Sequence, residues 1–162
     1  MDHPNPPATP MPTADPRLDR VCRAFDAAFL RMSDACMVAD LEDELSNLLH
    51  HLYRLGELCR WQLGPAGTKL SPQEFGKALG ASDDLRAARA AMWARRFDTH
   101  ELIVVAAVDH FSDFSTEIDV LTWAPLAQTD PDGRHLDYAA VLEGRPVVTT
   151  IGRAFDAMAG LL

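Results

Sequence analysis

The chain has 162 residues, enough for one domain with a real hydrophobic core, and 48% hydrophobic with 24% charged residues is the balance of a globular protein, not a disordered one. A net charge of -9 argues against a general nucleic-acid or membrane-surface binder, since both rely on broad basic patches, but leaves room for a small local phosphate site. The longest apolar run, Leu102 to Val108, is too short to cross a bilayer and no export signal is present, so the expected location is the cytoplasm, with Cys22, Cys36 and Cys59 as reduced thiols.

Residues 1–15 hold five of the eleven prolines and almost no large apolar side chain, so a flexible tail is expected there, ahead of a single helical domain over 16–162. Asp15-Pro16 predicts a helix start, and Leu18, Val21, Cys22, Phe25, Ala28, Phe29 and Met32 then form an apolar stripe. A second helix is expected from Asp40, with Leu41, Leu45, Leu48, Leu52, Leu55 and Cys59 as a seam that could pack within the protomer or across a dimer. Gly64-Pro65-Ala66-Gly67 closes it.

Ser71-Pro72-Gln73-Glu74 is a capping box for a short helix ending near Gly80. Ser82-Asp83-Asp84 predicts the cap of a long helix reaching about His110, because no Gly or Pro lies between 81 and 124; the valines and isoleucine of 102–108 suggest a strand as the alternative. Residues 116–123 are expected to be partly extended, 129–133 to be a turn, 136–143 a helix stopped by Gly144, and a last helix to run from Pro146 through Met158. The fold class is therefore mainly α, a bundle of four to five helices with one short extended segment.

The chemistry concentrates in Arg95-Arg96-Phe97-Asp98-Thr99-His100. Arginine is a permanent cation with forked donors and histidine exchanges protons near neutral pH, a combination suited to a phosphate group. On a continuous helix Arg96 and His100 share a face, whereas Arg95 and His100 diverge by roughly 140° and meet only if the helix bends or a second protomer contributes. Arg86 and Arg89 read as part of a solvated face. His50-His51 and Asp109-His110 with Asp113 lack metal-ligand spacing, and no metal or other cofactor is expected. Phosphate-loop, dinucleotide and hydrolase motifs are missing from the sequence.

The spacing of Arg95 and His100 resembles the Arg-x(4–6)-His signature of the HEPN superfamily of helical bundles. The likeness extends to the helical layout of 16–111 and to Trp123-Ala124-Pro125-Leu126, Tyr138 and Leu142 to Val147, as in uncharacterised bacterial HEPN-like proteins. It implies a homodimeric, metal-independent endoribonuclease, toxin-like or defence-associated, with a possible antitoxin or other partner protein. His100 would then move protons at the ribose hydroxyl or leaving oxygen, and Arg95, with Arg96 beside it, would stabilise charge on the phosphate of an RNA substrate. The chain departs from the family pattern at Arg96, where a small polar residue is common, at Leu102, where toxins carry tyrosine, and at Asp98, a competitor for Arg95. The alternative is a non-catalytic helical dimer that binds a protein or a nucleotide.

Overall fold

The computed structural model describes residues 15–35, 38–105 and 121–162. Within them, helices α1 (Pro16–Asp34), α2 (Val38–Gln62), α3 (Pro72–Ala78), α4 (Asp83–Ala94) and α5 (Thr99–Leu102) lead into strand β1 (Ile103–Val105). Strand β2 (Leu121–Trp123) and helices α6 (Arg134–Val141) and α7 (Val147–Ala159) complete the order. The protein is mainly helical, and no helix among the described residues is long and apolar enough to cross a membrane.

The caps form where side-chain oxygens follow turn-forming backbone. The Asp15 carboxylate accepts from the Arg17 amide at 2.8 Å, and the Ser82 hydroxyl accepts from the Leu85 amide at 3.2 Å. Ser71 and Glu74 form the reciprocal capping box, each side chain accepting from the other's backbone amide. Helix α2 begins two residues earlier than expected, at Val38.

One expectation fails in the middle of the chain, and the strand given as its alternative holds. The long helix ends at Ala94, and Arg96 and Phe97 close it with tight bonds to the carbonyls of Trp93 and Ala94. Asp98 then adopts extended backbone, and one helical turn later Ile103 enters a strand. The β-branched residues 103–105 favour that outcome, and antiparallel pairing with β2 satisfies their backbone groups: Ile103 lies opposite Trp123, Val104 opposite Thr122 and Val105 opposite Leu121. The single extended segment is thus one half of a two-stranded ladder. Expectations for residues 1–14, Cys36, 106–120 and the Asp109, His110 and Asp113 group lie outside the described residues.

Helix α1 lies on α2, α4 packs on α6 and α7, and α2 also meets α4 and α7, so the core sits between the two long N-terminal helices and the C-terminal pair. Phe25 of α1 and Phe155 of α7 stack with ring centres 3.7 Å apart. Leu45, Leu48, Leu52, Leu55 and Cys59 are fully buried within the one chain, which assigns the leucine seam to intramolecular packing.

The ladder is locked to this body by two polar side chains. The Tyr138 hydroxyl donates to the Ala124 carbonyl at 2.8 Å, and the Trp123 indole donates to Thr150 Oγ1 at 2.6 Å. The far edge of β2 is closed by the α6–α7 connection, where the Trp123 amide donates to Arg145 and its carbonyl accepts from Gly144. Gly144 makes that turn possible with φ of 71°, a left-handed conformation costly for other residues.

Candidate functional site

Arg95 caps the C-terminus of α4 and Arg96 follows in the turn, so the end of one helix projects two guanidiniums outward. Both are exposed, and both line a cavity of about 790 Å³ bounded by α2, α3, α4 and the turn before α6. The Arg95 guanidinium carbon lies 4.0 Å from the centre of the Tyr53 ring, a cation–π contact that ties the end of α4 to α2.

His100 is elsewhere. It is exposed on the one-turn helix α5 and is not among the cavity-lining residues. Because the chain leaves helical geometry at 95–98, the four-residue spacing of Arg96 and His100 no longer defines a shared helix face. The structure therefore brings Arg95 and Arg96 to one cavity and leaves His100 outside it. Asp98 forms no ion pair with Arg95 among the described residues.

The rest of the cavity was hidden from sequence reading because its residues are far apart in the chain. Arg60 of α2, Lys77 of α3, Arg89 of α4 and Arg134 of α6 all line it, together with Glu57 and Asp132. Most of these charges are already engaged. Arg60 donates to Glu57 at 3.0 Å and twice to the Leu70 carbonyl, at 3.0 and 2.8 Å. Burial pushes the Glu57 carboxyl up, but hydrogen bonds from Lys69 and Arg60 outweigh it and leave the group below its ordinary value. Arg134 reaches Asp132 at 2.9 Å and Asp130 at 3.6 Å.

Arg86 and Arg89 are a correction to the solvated face expected for them. Both reach across to Asp137 of α6, Arg86 through Nε at 3.2 Å and Arg89 through Nη2, and Asp137 is the one buried charged residue among those described. Arg89 also donates from Nη1 to the Gly76 carbonyl at 2.8 Å, so one guanidinium fastens α3 and α6 to α4. Lys77, Arg95 and Arg96 remain. None forms a salt bridge among the described residues, although Lys77 lies near enough to Glu74, one turn earlier on α3, to help hold that carboxyl below its ordinary value.

The His50 and His51 rings meet edge to face, with centres 5.8 Å apart and planes at 65°. The described residues contain no cluster of three side chains able to hold a metal ion. His51 matters instead for stability. Burial, together with the neighbouring His50, Arg54 and Arg31 charges, holds its pKa below the ordinary value, and its buried Nδ1 has no hydrogen-bond partner. Glu44 faces it with the opposite, weaker effect.

A histidine whose folded pKa is depressed binds fewer protons when folded, so stability is retained above about pH 6.5 and falls as pH drops below it. Urea unfolding between about pH 7.5 and pH 5.5, above the carboxylate range, should show this decline, and His51→Leu should flatten it. An equal decline in that variant would remove His51 as the cause.

The cavity is thus lined by three cations that form no salt bridge among the described residues, in an acidic chain, with Arg95 over the Tyr53 ring and Lys77 near Glu74. Such an arrangement is equipped to bind an anion. No protein-family model, curated protein or solved structure matches the chain.

Proposed function

We propose that this chain is a HEPN-like helical module whose cleft between α2, α3 and α4 binds a phosphate-bearing ligand. The observation that carries this reading is the convergence of Lys77, Arg95 and Arg96, which form no salt bridge among the described residues, on one cavity. Fixed cations concentrated in an acidic surface focus the field on the cleft and leave the rest of the molecule repulsive to polyanions. Isothermal titration with pyrophosphate at low salt tests it. The Arg95→Ala/Arg96→Ala double variant should bind about 100-fold more weakly, from two charge-assisted hydrogen-bond sets at about 1.5 kcal/mol each. Equal affinity for both proteins, or no binding by either, would remove the reading.

A second reading is favoured by the exposure of His100 just beyond the two arginines. In a cytoplasmic homodimer, His100 of one copy would reach a phosphate held by Arg95 and Arg96 of the other, giving metal-independent cleavage of RNA in a toxin-like or defence setting, under the control of an antitoxin. Incubation with RNA in chelator distinguishes it: cleavage by the native chain that is lost in His100→Ala supports the enzyme, and no cleavage leaves the binding module alone.

A further inference from the structure

The lining of the cleft carries information about which phosphate-bearing ligand it takes. Three cations that form no salt bridge among the described residues come from two elements, Lys77 from α3 and Arg95 and Arg96 from the end of α4. Held around one cavity they repel one another, and a singly charged group would leave most of that repulsion in place. The acceptors that would oppose a more highly charged anion are already taken. The Gly76 carbonyl is bound by Arg89 and the Leu70 carbonyl by Arg60, while Glu57 and Asp132 are each paired with a cation.

The aromatic side chains point the same way. Three aromatics line the cavity: Tyr53, Phe75 and Trp93. Phe75 and Trp93 are buried, at 5% and 3% exposure, and Trp93 is occupied by edge contacts with Phe97 and Tyr138. Tyr53 is more open, but the Arg95 guanidinium already lies over its ring. A nucleobase gains about 1–3 kcal/mol from stacking on an open aromatic face, and here that place is filled from within the chain. Stacking also holds the Arg95 plane in position, so its edge donors are presented without the rotamer cost a free arginine would bear.

Resting on the anion-binding reading, we infer that the cleft recognises a condensed phosphate chain, free or carried by a nucleotide, through its charge and without reading a base. Lysine supplies a compact point charge and the two arginines supply forked donors, the donor types that phosphoryl oxygens accept from.

Titration calorimetry of the full chain in chelator at low salt, with orthophosphate, tripolyphosphate, ATP, adenosine and a short oligoadenylate, tests this. Tripolyphosphate and ATP should bind within about threefold of each other and at least ~30-fold more tightly than orthophosphate, and adenosine should give no signal. Lys77→Gln, a surface change that preserves the fold, should weaken tripolyphosphate about tenfold and leave the helical circular dichroism unchanged. ATP binding more than about tenfold tighter than tripolyphosphate, tight binding of adenosine or the oligonucleotide, or equal affinity for orthophosphate would overturn the inference while leaving the anion site in place. Failure of every phosphate probe to bind would overturn both.

Discussion

Replacing Asp137 with alanine is expected to cost about 3 kcal/mol, measurable as a lowered urea midpoint with an unchanged slope. Asp137 is buried on α6 and receives both Arg86 and Arg89 of α4. Removing the carboxylate leaves Arg86 with only the exposed Asp83 as counter-charge, at 3.0 Å, and Arg89 with none, its buried Nε already without a partner. Breaking a buried pair from one side costs about 3–5 kcal/mol, and the low end applies because the Arg86 and Arg89 side chains keep 33% and 28% of their exposure. Asp137→Asn should cost less, since the amide oxygen still accepts one of the two donors. A loss below about 1 kcal/mol for alanine would mean the cluster is no more than a surface pair.

Leu52→Ala should be comparably severe, at about 3 kcal/mol by the same unfolding measurement, because a fully buried leucine is removed from the centre of α2 and the surrounding side chains close the void only in part. Leu41→Ala, at the less buried start of the same seam, should cost markedly less. A similar loss at both positions would contradict the burial gradient along α2. The comparison also has a bearing on assembly. Since the seam is consumed inside one chain, any partner copy must use another surface.

The parts of the fold that follow from local chemistry were legible in the sequence. Asp15 and Ser82 cap α1 and α4, and Ser71 with Glu74 caps α3, because each offers an oxygen to an otherwise unpaired helix amide. The stripe of α1 also reads through: Val21, Phe25, Ala28 and Met32 are buried, with Leu18, Cys22 and Phe29 packed against them.

The end of α4 was not legible, for a physical reason. No glycine or proline marks it, and the strand that replaces the helix depends on β2, sixteen or more residues further along. The candidate site was half visible for the same reason. Arg95 and Arg96 stood out as a dipeptide, whereas Arg60, Lys77 and Tyr53 reach the cavity only through the packing of α2 and α3 against α4. Arg86 and Arg89 looked like surface charge because their partner, Asp137, lies about fifty positions away.

The break between α4 and α5 divides the Arg95–His100 segment between two units of very different cooperativity. The amides of α4 leading to Arg95 belong to a helix pinned by α6, α7 and the Asp137 cluster, and are expected to open mainly with the body of the protein. His100 sits on a single turn whose Asp98 side chain makes no capping bond and whose hold on the body is the buried Leu102, with its carbonyl bound by the Ala124 amide, so this turn is expected to open more readily than α4. A ligand that engaged both residues would have to spend part of its binding free energy suppressing that opening, while one held by α3 and α4 alone would not.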